Sequence, residues 1–164
     1  MLSPDRPRCF EFHLADERHT ARLGAALARR LAPGDTVLLR GELGAGKSAL
    51  ARAVIGAALG DAGAEIPSPS YTLVNIYQTA LGPVWHADLY RLTGAAEELE
   101  ELGLVETFGA ALVLVEWPER LGAALPARRL DIALTAPRGG GRDVAITLDG
   151  PGWDKVAGLL EGWR

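Results

Sequence analysis

The sequence predicts an α/β domain with a mixed, mostly parallel sheet flanked by helices and an antiparallel hairpin near its C-terminal end. Three observations predict it. A short apolar run, Thr36 to Arg40, enters a glycine-rich loop and leaves it into a helical pattern carrying Leu50, Val54 and Ala58. A second run, Ala111 to Val115, has no polar alternation, as a strand covered on both faces requires. Two later runs, Leu130, Ile132, Leu134 and Val144, Ile146, Leu148, alternate with polar or small residues on either side of Gly139-Gly140-Gly141, which reads as a hairpin on one edge of the sheet.

The remaining elements fall around these. A first helix runs from an Asp16 cap to Leu31, because Leu23, Leu27 and Leu31 recur every four residues before Pro33-Gly34. The helix after the loop spans Lys47 to Leu59 and stops at Gly60. Strands are expected at Thr72 to Tyr77 and Val84 to Asp88, a mostly helical segment at Ala95 to Phe108, and a short closing helix at Trp153 to Trp163. With no dividing linker, residues 1–164 read as one domain, residues 1–10 forming a loosely ordered or edge segment.

Composition narrows the classes of function. The chain is 48% hydrophobic and 23% charged, which is ordinary for a folded domain. Cys9 is the single cysteine, so no intrachain disulfide or cysteine-based zinc site is expected. No signal-like or membrane-length apolar stretch is seen, which predicts a cytoplasmic protein without a membrane role. A formal net charge of −4 argues against direct nucleic-acid binding, and the basic pairs Arg29-Arg30 and Arg128-Arg129 read as a solvated helix end and a loop.

The segment Gly41-Glu42-Leu43-Gly44-Ala45-Gly46-Lys47-Ser48 matches the phosphate-binding P-loop pattern Gly-x-x-x-x-Gly-Lys-Ser. Glycines let backbone N–H groups turn toward phosphate oxygens, and the following helix N-terminus adds positive potential. Lys47 supplies a full charge for the β- and γ-phosphates, and Ser48 a hydroxyl for Mg²⁺. A chain of this composition would show the pattern by chance about 0.002 times. Lys47 is also one of only two lysines in a chain that otherwise uses arginine. ATP and Mg²⁺ are therefore the expected ligands.

A P-loop site needs a further carboxylate for the metal, and Glu116, at the end of the buried run, is placed for it. Asp88, at the end of the run from Val84, is the second candidate, with a helix cap or an Arg91 ion pair an equal alternative. His86 reads as a packed or surface histidine. The hydroxyl-rich Ser68-Pro69-Ser70-Tyr71-Thr72 is either a phosphate-sensing switch or plain turn chemistry.

With these residues assembled, the chain resembles the TsaE (YjeE) family, the small bacterial ATPases of the machinery that makes threonylcarbamoyladenosine on tRNA. The P-loop, Ser68-Pro69-Ser70-Tyr71-Thr72-Leu73-Val74, His86-Ala87-Asp88-Leu89-Tyr90-Arg91-Leu92, Glu98-Leu99-Glu100-Glu101-Leu102-Gly103 and Val115-Glu116-Trp117-Pro118-Glu119-Arg120 carry the resemblance, in the family's order. It implies that Ser48 and Glu116 bind Mg²⁺, that Asp88 supports hydrolysis, that Ser70 and Thr72 lie in a switch-like segment and that Trp117 adjoins the site. It also implies that nucleotide contacts run over Leu43, Gly44, Ala45, Gly46, Lys47, Ser48 and Ala49, with adenine between Glu17 and the Gly141-Arg142 loop. The chain departs from the family at Ser48 and Ser70, where threonine is common, at Glu42, where aspartate is commoner, and at Ala87, where an aromatic is usual. The serines keep the oxygen.

The function implied is a partner-controlled ATPase acting on TsaB-like and TsaD-like proteins, weak alone, that meets tRNA only through the complex. Two alternatives share the loop. A small-molecule kinase would use Asp88 to activate an acceptor hydroxyl, and a nucleotide-dependent binding module would not need hydrolysis at all.

Overall fold

Apolar runs with no polar alternation become central strands only where both faces are covered, and this chain covers them with helices on one side and short helical segments on the other. A computed structural model describes residues 6–163. The elements in chain order are β1 (Arg8–Leu14), α1 (Glu17–Ala28), β2 (Thr36–Arg40), α2 (Lys47–Leu59), β3 (Val74–Thr79), β4 (Gly82–Asp88), α3 (Ala96–Leu102), α4 (Leu104–Thr107), β5 (Leu112–Glu116), a 3₁₀ segment (Pro118–Ala124) kinked at Gly122, β6 (Arg129–Thr135), β7 (Arg142–Asp149) and α5 (Asp154–Glu161).

The seven strands order as β1-β7-β6-β2-β5-β4-β3. Parallel pairing is confined to the centre, β6-β2-β5-β4, while β1-β7, β7-β6 and β4-β3 are antiparallel. On one face Val37, Leu39, Leu112, Leu114 and Ile132 pack against Leu23 and Leu27 of α1, Leu50 and Val54 of α2 and Val156 of α5. On the other, Leu38, Val113 and Val115 pack against Leu89, Leu92, Leu99, Leu104 and Leu121.

Local chemistry sets the helix ends. Asp16 Oδ1 accepts from the His19 N–H at 2.9 Å, and His19 Nδ1 accepts from the Ala15 N–H at 3.2 Å, a reciprocal cap that starts α1. α2 stops at Gly60, whose left-handed φ of 72° closes the last turn.

The structure departs from the sequence-based expectations in three places. The late hairpin β6–β7 is not the edge of the sheet, because β1 pairs along β7 from Arg8↔Leu148 to Leu14↔Arg142. The segment 1–10 is expected to be loosely ordered or at an edge; residues 1–5 lie outside the described residues, and Arg8 onward forms this edge strand. β3 and β4 form a tight hairpin in which Thr79 pairs with Gly82, closed by Thr79 Oγ1 accepting from the Leu81 N–H and donating to Gly82 O. Arg128, read as a loop charge, donates to the buried Asp35 at 2.7 Å and lies 3.9 Å over the Trp153 ring, while Arg129 opens β6 and pairs with Asp149.

α1 and α2 cross where Gly24 meets Ala53. A Cβ on Gly24 would stand 2.4 Å from the Ala53 Cβ and 3.0 Å from its carbonyl carbon. Gly24→Ala therefore loses stability by about 1–3 kcal/mol through overpacking, although helix propensity alone would reward it by about 1 kcal/mol. A lower urea midpoint checks this; a higher one would show that the helices separate at little cost.

Candidate functional site

β2 delivers the chain to the loop, and three glycines shape it. Gly41, Gly44 and Gly46 have φ of 146°, 79° and 106°, backbone that side chains seldom adopt. At Gly41 space is also limiting, since a Cβ would stand 2.5 Å from the Leu134 carbonyl oxygen. α2 then begins at Lys47 with no side-chain cap and no acid in its first turn, so its leading N–H groups are free to face an anion.

The loop lysine is buried. Its Nζ donates to the carbonyls of Gly41 and Glu42, the latter at 2.9 Å, and lies 4.3 Å from the Trp117 ring centroid. Trp117 reaches it because its backbone turns left-handed, φ 58°, directly after β5 and before Pro118. The Trp117 ring also packs against Tyr90 at 4.9 Å.

Beside the lysine, Ser48 Oγ donates to Glu116 Oε1 at 2.7 Å, and His86 Nε2 stands 2.7 Å from Glu116 Oε2. These three side chains meet because β4 and β5 are parallel neighbours with Asp88 opposite Glu116 and His86 opposite Leu114. Alternate residues share a face, so His86, Asp88 and Glu116 all point toward α2. Asp88 Oδ1 accepts from the Tyr90 N–H at 3.1 Å and Oδ2 from Ser70 at 3.4 Å. Arg91 instead lies over the Tyr71 ring.

A cavity of about 320 Å³ is lined by Leu43, Gly44, Gly46, Lys47, Ser48 and Ala49 on the loop side and by Ser70, Asp88, Glu116, Trp117 and Arg142 opposite. A second, of about 620 Å³, brings Glu17 together with Gly141 and Arg142. The two share Gly46, Ala49, Arg52 and Arg142, so they form one continuous groove. Arg142 bridges it, donating to Gly44 O at 3.1 Å and to Gly141 O at 2.6 Å. Ala45 is not in the groove: its N–H bonds Glu42 O and its side chain is buried behind the loop. Thr72 also turns away, donating to Asn75. His86 is a residue that sequence reasoning undervalued, and its alternation with Asp88 was the available signal.

The two carboxylates are tuned in opposite directions. Burial pushes Asp88 above its ordinary 3.8, and the nearby Glu116 charge adds to this, against the Tyr90 N–H, His86 and Ser70. Burial would raise Glu116 too, but the His86 contact, Ser48 and Lys47 outweigh it and hold the carboxyl below 4.5. The donor set fits a Mg-nucleotide: hard oxygens from a hydroxyl and a carboxylate beside a cradle of N–H groups. Among the described residues no cluster of three or more His, Cys, Asp or Glu could hold a metal alone. That suits an ion whose remaining ligands are phosphate oxygens and water.

Comparison with known proteins decides the family. The family model "Threonylcarbamoyl adenosine biosynthesis protein TsaE" matches residues 14–144. The chain belongs to the TsaE family. The tRNA threonylcarbamoyladenosine biosynthesis protein TsaE of Synechocystis is 43% identical over 114 residues, covering 68% of this chain and 71% of that protein. The TsaE of Streptomyces coelicolor is 38% identical over 144 residues, 86% of this chain and 91% of the relative. The crystal structure of Bacillus subtilus YdiB superposes with a TM-score of 0.78 at 26% identity, covering 95% of this chain and 96% of that one. The loop, Asp88 and Glu116 all lie inside the stretch that matches TsaE.

Because Asp88 binds its proton more tightly folded than unfolded, its ionisation costs stability as pH rises from 3.8 through the raised folded value. Glu116 has the opposite sign, contributing stability above 4.5 that is lost as pH falls through its depressed folded value. Asp88→Asn keeps the Tyr90 contact without the charge and should raise Tm at pH 7, by about 2–4 °C for each kcal/mol of relief in a chain this size. The gain shrinks as the pH approaches 3.8. A Tm below wild type at pH 7 would refute it.

Proposed function

We propose that this chain binds and hydrolyses ATP with Mg²⁺, as the nucleotide-driven subunit of the cytoplasmic assembly that makes threonylcarbamoyladenosine on tRNA. The observation that carries it is the 2.7 Å contact between Ser48 and Glu116 at the mouth of the glycine cradle, with Asp88 in the same cavity. The backbone of Leu43, Gly44 and Gly46 to Ala49, with the Lys47 side chain, holds the phosphates, Ser48 and Glu116 hold the metal, and the arm of the groove between Glu17 and Gly141-Arg142 takes adenine. Bound Mg²⁺ would neutralise charge on the β- and γ-phosphates. Asp88 accepts a hydrogen bond from the attacking water and orients it.

Lys47 is stored rather than free: its charge rests on two carbonyls and the Trp117 face until phosphates replace them. Around this mouth Leu43, Tyr71 and Tyr90 are 71%, 88% and 46% exposed. Apolar surface beside a catalytic cavity supports control by docked proteins, TsaB-like and TsaD-like, with slow turnover in their absence. With net charge −4, tRNA is met through those partners. A small-molecule kinase is disfavoured because Arg128 to Arg142 contributes strand β6 and its turn rather than an arginine-bearing lid.

Calorimetric titration tests binding. Lys47→Ala should weaken ATP by more than about tenfold while the protein still unfolds cooperatively. Asp88→Asn should leave ATP affinity within about threefold and lower turnover by about 10²–10³ in the presence of both partner proteins and tRNA. Undiminished modified tRNA with Asp88→Asn would reduce the chain to a nucleotide-set binding module.

A further inference from the structure

Glu116 is nearly fully buried, yet its two oxygens are not equivalent. Oε1 faces Ser48 Oγ at 2.7 Å and opens on the phosphate-side cavity. Oε2 faces inward, 2.7 Å from Nε2 of His86, a side chain with no solvent exposure. An ionised carboxylate can only accept, so at this 2.7 Å contact Nε2 carries the proton and donates. The other ring nitrogen, Nδ1, is buried with no hydrogen-bond partner among the described residues. The imidazole is thus tied to the site through a single contact, and that contact goes to the carboxylate.

A buried histidine is an expensive way to fill a space between β4 and α2, where aliphatic residues serve at Val84 and Leu114 on the same face. It also prevents the carboxylate from turning. Were Oε2 free, Glu116 could present both oxygens to one cation, the arrangement that favours Ca²⁺ with its six to eight loosely placed oxygens. With Oε2 occupied, only Oε1 is left, beside the Ser48 hydroxyl. Mg²⁺, small and octahedral, usually takes one or two carboxylate oxygens and completes its shell with phosphate and water.

We propose that His86 is a positioning residue for the cation site: by donating to Glu116 Oε2 it withdraws that oxygen from metal binding, leaves Oε1 alone with Ser48, and so makes the site prefer Mg²⁺ over Ca²⁺. The inference rests on the Mg-nucleotide function proposed above, and places its ion discrimination outside the metal's own ligands.

The test uses the full chain and a fluorescent ATP analogue, with binding read by anisotropy in EDTA, in Mg²⁺ and in Ca²⁺, so no turnover is needed. His86→Leu removes the donor. Its half-saturating Mg²⁺ for analogue binding should rise about 10–100-fold, and its Mg²⁺:Ca²⁺ preference should fall by about tenfold or more. Affinity in EDTA should stay within about twofold of wild type. His86→Gln, whose amide nitrogen lies as many bonds from the backbone as Nε2, should recover most of both values. His86→Asn, too short to reach Oε2, should behave like His86→Leu, and serves as the donor-free variant if leucine unfolds the protein. An unchanged Mg²⁺ requirement and ion preference in the folded donor-free variant overturns the proposal. So does a loss of affinity equal in EDTA and in Mg²⁺, which marks a purely structural role. If the wild-type chain binds the analogue under none of the three conditions, the nucleotide function itself fails, a result distinct from either.

Discussion

Leu39 of β2 stands opposite Glu116 of β5 in parallel register, and two residues beyond Leu39 the glycine loop begins. The site depends on that pairing. The side-chain period of a strand is two, so a slip of one residue would turn Glu116 to the opposite face of the sheet and away from Ser48. The register is protected by burial on both sides: Leu112 and Leu114 on the α2 face, Val113 and Val115 on the other, none with more than trace exposure. Packing energy spread over the core thus fixes the position of a polar contact.

Opposed electrostatics follow from the same pairing. Asp88 and Glu116 are opposite one another on adjacent strands, where two like charges destabilise. Three polar partners, His86, Ser48 and Lys47, offset the cost at Glu116, while Asp88 has a backbone N–H and a long contact from Ser70. One carboxylate is fully partnered by side chains and the other keeps acceptor capacity.

How much of this could be read beforehand depended on the distance over which each feature is decided. β2, the loop and α2 were legible because glycine, apolar run and helical spacing are contiguous from Thr36 to Gly60. β5 was legible because an unbroken apolar run has few other uses. The β3–β4 hairpin was not, since Ala80-Leu81 lacks the Asn-Gly or Asp-Gly signal of a tight turn and Thr79 closes it through its side chain. His86 shows its face through alternation with Asp88, but its partner does not show, because Glu116 lies thirty residues away across a crossover that contains α3 and α4. Glu17, Gly141 and Arg142 came from family resemblance alone. The structural reason they meet is the last rung of the edge ladder, Leu14↔Arg142, which brings the start of α1 to the hairpin loop.

The close crossing of α1 and α2 at Gly24 bears on the groove. Both helices begin at the groove, α1 with Asp16 and Glu17 and α2 with Gly46, Lys47 and Ser48, and backbone contact at Gly24 and Ala53 locks them into one body. The two arms of the groove therefore cannot open and close against each other as a clamp does. The walls that α1 and α2 supply to the groove stand at a separation set by the helix crossing rather than by whatever lies between them.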